Sequence, residues 1–390
     1  MNKQILDYPL FFLGFRTFFA LAGLFALILI ALWASIFDGS LVMDNYYSKT
    51  VWHAHEMLLG YCVAVIAGFL LTAVQSWTED SVVKANQLLG LCLLWIYGRV
   101  VPFYSELLPD LLIALVDFSF LPVLAYFVAK PIIQSGKVKN LLLIGLLLLM
   151  TLGNYFIHAD VLGFMDDSAT MGLTLIVAMI IMMILVMAGR LFPLFIERGL
   201  QGVMAIRSPL LDSLAIVTSA LVFMLLVFDV NGLVLTIAAV AAVIANIARV
   251  AGWYVQRIWY VPLLCVLYMG YAWIMMGFVF VALASVSLVP ITLAIHAFTV
   301  GGIAVITLGM MARVSLGETG RALKVSNTIA IAFALINVSA VFRVLLPAVF
   351  PVGFNTFLLV STYCWLAAFT LFVFIYTPIL TTASVGSKQG

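Results

Sequence analysis

The chain has 390 residues, of which 66% are hydrophobic and only 9% charged, with a formal net charge of +2. Soluble domains are about half apolar and a quarter charged, so this composition excludes a soluble globular protein and indicates an integral membrane protein. A near-neutral charge, with no basic cluster interleaved with aromatics, excludes nucleic acid as a partner.

The first apolar run, near residues 10–37, is too long for the hydrophobic core of a signal peptide and lacks a small-x-small cleavage site, so it reads as a retained spanning helix. A bilayer core needs about 20 apolar residues per helix. Polar breaks then divide the rest into further runs near 54–77, 86–104, 108–129, 140–158, 169–193, 209–228, 232–254, 260–286, 290–313, 326–348 and 354–379. The thinnest division runs from Asp229 to Gly232 and has the turn residues of a tight helical hairpin. The expected fold is all-α: a polytopic transmembrane helical bundle of about twelve helices, forming one integral-membrane domain over residues 1–390. No internal repeat is evident on inspection. Cys62, Cys92, Cys265 and Cys364 stand singly inside apolar runs, with neither zinc-site spacing nor a CxxCH haem-attachment motif, and read as packing residues.

Cytoplasmic loops hold most Lys and Arg in such proteins. With both termini inside, 15 of the 18 basic residues, from Lys3 to Lys388, fall on the inner side, leaving Lys49, Arg99 and Arg343 outside. An odd number of spans would scramble that alternation. Both termini are therefore expected to be cytoplasmic. Most acidic residues fall on the outer side, where loops need solvating groups; the same charge would attract a metal cation.

All four histidines then share the outer membrane half. His53 and His55 open the second span, His158 closes the fifth, and His296 lies in the tenth, six residues past Pro290. Residues inside a bilayer that ionise or coordinate are functional candidates, and imidazole suits haem iron and copper. His53 and His55 are separated by about 200° on a regular helix. Either the backbone is loosely turned there, or the two rings serve different partners. Glu56 is a candidate to orient one ring, and Asn154, four residues before His158, another. A lone histidine at a helix end is more often an interface residue, whereas His296 sits at a depth where an imidazole must be paired or coordinated.

Arginines recur at helix ends, in "YGRVVP" around Arg99, "AGRLFP" around Arg190, "NIARVAG" around Arg249 and "VFRVLLP" around Arg343. Those on the inner side read as headgroup anchors. Arg99 and Arg343 are the exceptions, and either haem propionates or acids such as Glu56, Glu106 and Asp110 would balance them. Asp117, midway along the fourth span, has no evident mate and is a candidate proton-path group.

The stretches "WHAHEMLLGYCVAVIAGFLLTAVQSWT" (52–78), "GFRTFF" (14–19), "NYFIHA" (154–159), "AGRLFPLF" (188–195) and "HAFTVGGIAVITLGMMARVSLGETGR" (296–321) resemble the NnrS family. That family comprises bacterial inner-membrane proteins of twelve helices, described as containing haem and copper and linked to nitric oxide. Thr17 stands where the family pattern has proline. The resemblance implies a multi-pass protein of the bacterial inner (cytoplasmic) membrane that binds haem b and copper and handles nitric oxide in nitrosative-stress defence. Its histidine motifs fall on His53, His55, His158 and His296 as metal ligands; His158 and His296 are the expected cofactor contacts, and Arg99 and Arg343, from their outer position alone, are candidate cofactor contacts through the propionates. Its GR motif supplies Arg190.

Three mechanisms follow. One is a nitric oxide reductase-like oxidoreductase. Four imidazoles suffice there for one axial haem ligand and a three-histidine copper but not for a second, bis-histidine haem, so electrons would come from quinol or a periplasmic cytochrome. The second is a module that binds metal or nitric oxide without turnover. The third is a secondary transporter in which "HAHE" forms a cation or proton site; fold alone does not choose among them.

Overall fold

The computed structural model describes residues 6–385, so Lys3 and Lys388 of the orientation count lie outside it. Among the described residues all regular structure is helical. In a hydrocarbon solvent each backbone N–H and C=O must find a partner within the segment, which an apolar helix achieves by itself. Twelve helices are long and apolar enough to cross a membrane: α1 (Gly14–Phe37), α2 (Lys49–Thr78), α3 (Ala85–Tyr104), α4 (Asp110–Gln134), α5 (Val138–Val161), α6 (Ser168–Gly199), α7 (Pro209–Val227), α8 (Leu233–Ala251), α9 (Pro262–Ser285), α10 (Ile291–Glu318), α11 (Asn327–Val349) and α12 (Pro351–Thr381). The short connector between α7 and α8 turns through Asp229 and Gly232, both with positive φ. Helix α2 begins five residues earlier than the hydrophobic run, at Lys49, because the polar stretch "KTVWHAH" continues as regular helix.

The chain falls into two compact units. The first comprises the described residues up to 176, together with 311–323 and those from 369 onward. Here α1 lies against α2, where Gly68 admits the ring of Phe19 and Gly60 that of Phe25. Thr17, at the entry of α1, donates its hydroxyl to the Leu10 carbonyl at 2.6 Å. One turn of α1 also carries the buried Arg16, whose Nη1 donates to the carbonyls of Leu380 (2.9 Å) and Thr382 (2.6 Å) at the end of α12, while Nη2 reaches Ser384 Oγ. A guanidinium there satisfies the orphan acceptors of a helix C-terminus and complements its dipole.

The second unit comprises residues 177–310 and 324–368. A polar network ties α6 through α9. Arg249 Nε donates to Asp212 Oδ1 at 2.6 Å and Nη1 to the Leu185 carbonyl at 2.9 Å. Tyr271 donates to Asn246 Oδ1, and Asn246 Nδ2 to Ser219 Oγ at 3.1 Å. The sequence reading of Arg249 as a headgroup anchor is corrected here: the side chain is 4% exposed and faces Asp212.

Three wide π-helical segments interrupt the spans, at Glu56–Cys62 in α2, Ala297–Ile303 in α10 and Val341–Leu345 in α11. Such turns cost hydrogen-bond geometry and concentrate at functional sites. Replacing Arg249 by Leu removes the cation facing the Asp212 carboxylate and the donor to the buried Leu185 carbonyl. Because Asp212 is more than a third exposed and keeps its contact with solvent, the loss falls below that of a fully buried pair, at about 1–3 kcal/mol for the charge-assisted hydrogen bonds removed, and is expected as a lower unfolding midpoint in detergent.

Candidate functional site

In the first unit, α2, α3, α4 and α5 bring a closed set of polar side chains together. Asp117 of α4 is its hub. Its Oδ2 accepts from His55 Nε2 (3.1 Å), His158 Nε2 (3.1 Å) and Asn154 Nδ2 (2.9 Å), and its Oδ1 pairs with Arg99 Nη2. Arg99 Nη1 also donates to both Glu56 oxygens at 3.1 Å, and Glu56 Oε1 lies 3.0 Å from His55 Nδ1. All six side chains are buried, with His55 at 0% and Asp117 at 3% exposure.

Local sequence explains how so many groups approach one another. His55 is the last regular α-helical residue of α2, and the π turn that follows starts at Glu56. A Cβ at Gly60 would press on Glu56 Oε2 and Arg99 Nη1, and one at Gly98 would lie 3.2 Å from Asp117 Oδ1. Glycine at both positions lets the guanidinium lie between two carboxylates.

Hydrogen bonding also assigns protons. Asp117 accepts from His158 Nε2, so His158 Nδ1 is left to take the Tyr46 hydroxyl, 3.2 Å away. Both nitrogens of His55 face carboxylate oxygens, which is satisfied when both carry hydrogen; the Tyr47 hydroxyl oxygen (Oη) lies 3.1 Å from Nε2. Burial, with Asp110 and Asp117 nearby, pushes the Tyr46 hydroxyl above its ordinary range, and burial followed by Asp117 does the same for Tyr47. Both therefore remain neutral phenols. Counting charges, Glu56 and Asp117 oppose Arg99, leaving one negative charge for an imidazolium or a bound cation to balance.

His55 Nε2, His158 Nε2 and an Asp117 oxygen are the natural ligand atoms for such a cation, and one atom from each residue lies within 4.8 Å of the others. Beside them is a cavity of about 10 Å³, lined by Gly98, Arg99, Asp117 and Asn154 among apolar side chains. That is room for about one water molecule.

The remaining expected residues are placed as follows. His53 stacks on Trp33, with ring centroids 4.1 Å apart, so the two rings of "HAH" serve different partners within a regular helix. Arg99 pairs with Glu56, one of the acids expected for it, and with Asp117. Asn154 contacts Asp117 rather than His158. His296 belongs to the second unit, where its Nδ1 donates to the Thr292 carbonyl at 2.7 Å and its Nε2 accepts from Arg343 Nη2 at 3.0 Å. Arg190, on α6, is exposed.

Asp117 was expected to lack a mate, and here the structure differs most: it has four polar partners. Its position midway along a span was the available signal. Tyr46 and Tyr47 were missed, since aromatics just outside a span are ordinary interface residues.

A multi-pass membrane protein that buries two imidazoles on one carboxylate carries an interior cluster that could hold a metal ion. The chain belongs to the NnrS family, whose model, described as NnrS protein, matches residues 9–384. Membership ties it to the nitric oxide response and to a bacterial membrane. No curated protein matches the sequence.

Because Arg99 and Asp117 are buried together, replacing either alone strands a charge. Arg99→Gln and Asp117→Asn are each expected to cost about 3–5 kcal/mol. The double variant should cost clearly less than their sum, as read from thermal midpoints. Additive losses would show that the two groups do not act as a pair.

Proposed function

We propose that the protein is a haem- and copper-binding component of nitric oxide handling and nitrosative-stress defence, with the cluster on α2, α4 and α5 as its metal-ion site. The observation that carries this reading is the convergence of His55, Asp117 and His158 ligand atoms within 4.8 Å inside an otherwise apolar membrane segment. Two imidazoles and a carboxylate oxygen suit a first-row transition ion. Glu56, on His55 Nδ1, and Tyr46, on His158 Nδ1, supply the outer hydrogen bonds that orient ligating rings.

The tight packing here favours an ion over a porphyrin. This reading commits His158 and Arg99 to the ion site and leaves His296 and Arg343 as the haem-contacting pair. The donor set would fit once the guanidinium turns to a propionate: with Nδ1–H held by Thr292, the His296 lone pair on Nε2, which accepts from Arg343 Nη2 in this structure, would then be released for iron. When bound, haem supplies an iron centre able to take nitric oxide. Reduction of nitric oxide would draw electrons from quinol or a periplasmic cytochrome, whereas a binding role needs neither.

A second reading, a cation- or proton-coupled transporter, is favoured by the placement of His55 between two carboxylates. Metal analysis and optical spectra of purified protein separate the two. The expected result is a Soret band together with bound copper, with His55→Ala and His158→Ala losing the copper and His296→Ala losing the Soret band. Nitric oxide should shift the spectrum of the reduced protein. Protein lacking both cofactors after expression with haem precursor and copper would sink the first reading and leave the transporter.

A further inference from the structure

The two units contain the same local arrangement in different chemical dress. His55 is the last α-helical residue before a seven-residue π turn, and so is His296. Glycines follow His55 by five and thirteen residues, at Gly60 and Gly68, and follow His296 by the same steps, at Gly301 and Gly309. Each pair receives the preceding helix. A Cβ at Gly60 or Gly68 would strike Phe25 or Phe19 of α1, and one at Gly301 or Gly309 would strike Trp273 or Val266 of α9. Each site also takes an arginine from the next helix, Arg99 of α3 to Glu56 and Arg343 of α11 to His296.

In this register the carboxylates disappear. The residue after the histidine is Glu56 in the first unit and Ala297 in the second. Eighteen residues beyond Arg99 stands Asp117, and eighteen beyond Arg343 stands Ser361, whose hydroxyl bonds to Ser339 instead. Two carboxylates around one guanidinium leave the first site negative. The second keeps the guanidinium alone.

Arg343 is accordingly without a counter-charge. It is half-buried within a membrane span, lies 5.4 Å over the Phe354 ring, donates from Nη2 to the neutral His296 and meets no carboxylate among the described residues. A desolvated guanidinium is costly unless an anion accompanies it. With one Nη2 hydrogen held by His296, an edge of the guanidinium fork remains for two oxygens of a planar anion.

We propose that the second unit binds an anionic oxygen ligand, a carboxylate or small oxyanion, on Arg343 as oriented by His296. Loss of the acidic residues found at Glu56 and Asp117 converts a cation-binding arrangement into this anion-binding one. The anion site stands without the haem reading; only the identification of its occupant as a porphyrin carboxylate rests on that reading.

Formate, the smallest carboxylate, is the probe. Full-length protein purified haem-free is titrated while the ¹⁵N signals of His296, assigned by their loss in His296→Gln, are followed beside the thermal midpoint. Wild type should show a saturable shift and a raised midpoint. Arg343→Gln should weaken binding by about tenfold or more, and Arg343→Lys should retain part of it. Ala297→Glu, which supplies an internal carboxylate, should abolish the response; if that variant fails to fold, the Arg343 pair still decides. No saturable change in wild type, or an equal change in Arg343→Gln, overturns the proposal.

Repeating the titration on haem-loaded protein distinguishes the sources. A lost response identifies a porphyrin carboxylate as the occupant, and a retained one identifies a free anion. Absence of a Soret band would reject the haem reading while leaving the formate result in force.

Discussion

Arg99 between Glu56 and Asp117 is the interaction around which the first unit's interior is arranged. In a low-dielectric membrane segment neither carboxylate is tolerable alone, and the guanidinium is the group whose several donors can serve both. Fixing it there requires α2, α3 and α4 to approach closely, which Gly60 and Gly98 permit. The histidines follow as consequences. Each points Nε2 at Asp117 because that carboxylate is already anchored, and their Nδ1 atoms then face Glu56 and Tyr46. A constellation this constrained is pre-organised, so an incoming ion would meet ligands that need little rearrangement.

The π turns connect backbone to chemistry. A regular helix repeats its faces every 3.6 residues, and a single wider turn shifts everything beyond it to a new face. In α2 this happens directly after His55, and in α10 directly after His296, so each ring stands where one helical phase gives way to another. The shared device has opposite electrical surroundings in the two units.

Much of the fold was legible because hydrocarbon leaves so few options: run length and turn residues located all twelve spans, including the short break after Asp229. The sequence also drew attention to His55, Glu56, Asn154 and His158, since polar groups in lipid are conspicuous. Their partners were hidden. Asp117 looked solitary because its mates arrive from three other helices, and Arg249 looked like a headgroup anchor because Asp212 lies 37 residues away in sequence. Periodicity reports which face a residue occupies but not what meets it. The correspondence between the two units escaped inspection for a related reason. What recurs is the spacing of one histidine, two glycines and one arginine, and the carboxylates that would have made it visible are present in only one copy.

The Arg16 contacts bear on biosynthesis. This guanidinium enters the membrane with the first span, yet the Leu380 carbonyl it caps is translated 364 residues later. Before that segment packs, the guanidinium has none of the acceptors it finds in the folded structure. Packing of this half of the molecule is thus tied to its last span, and removing that segment would leave a buried guanidinium without the carbonyls it now caps.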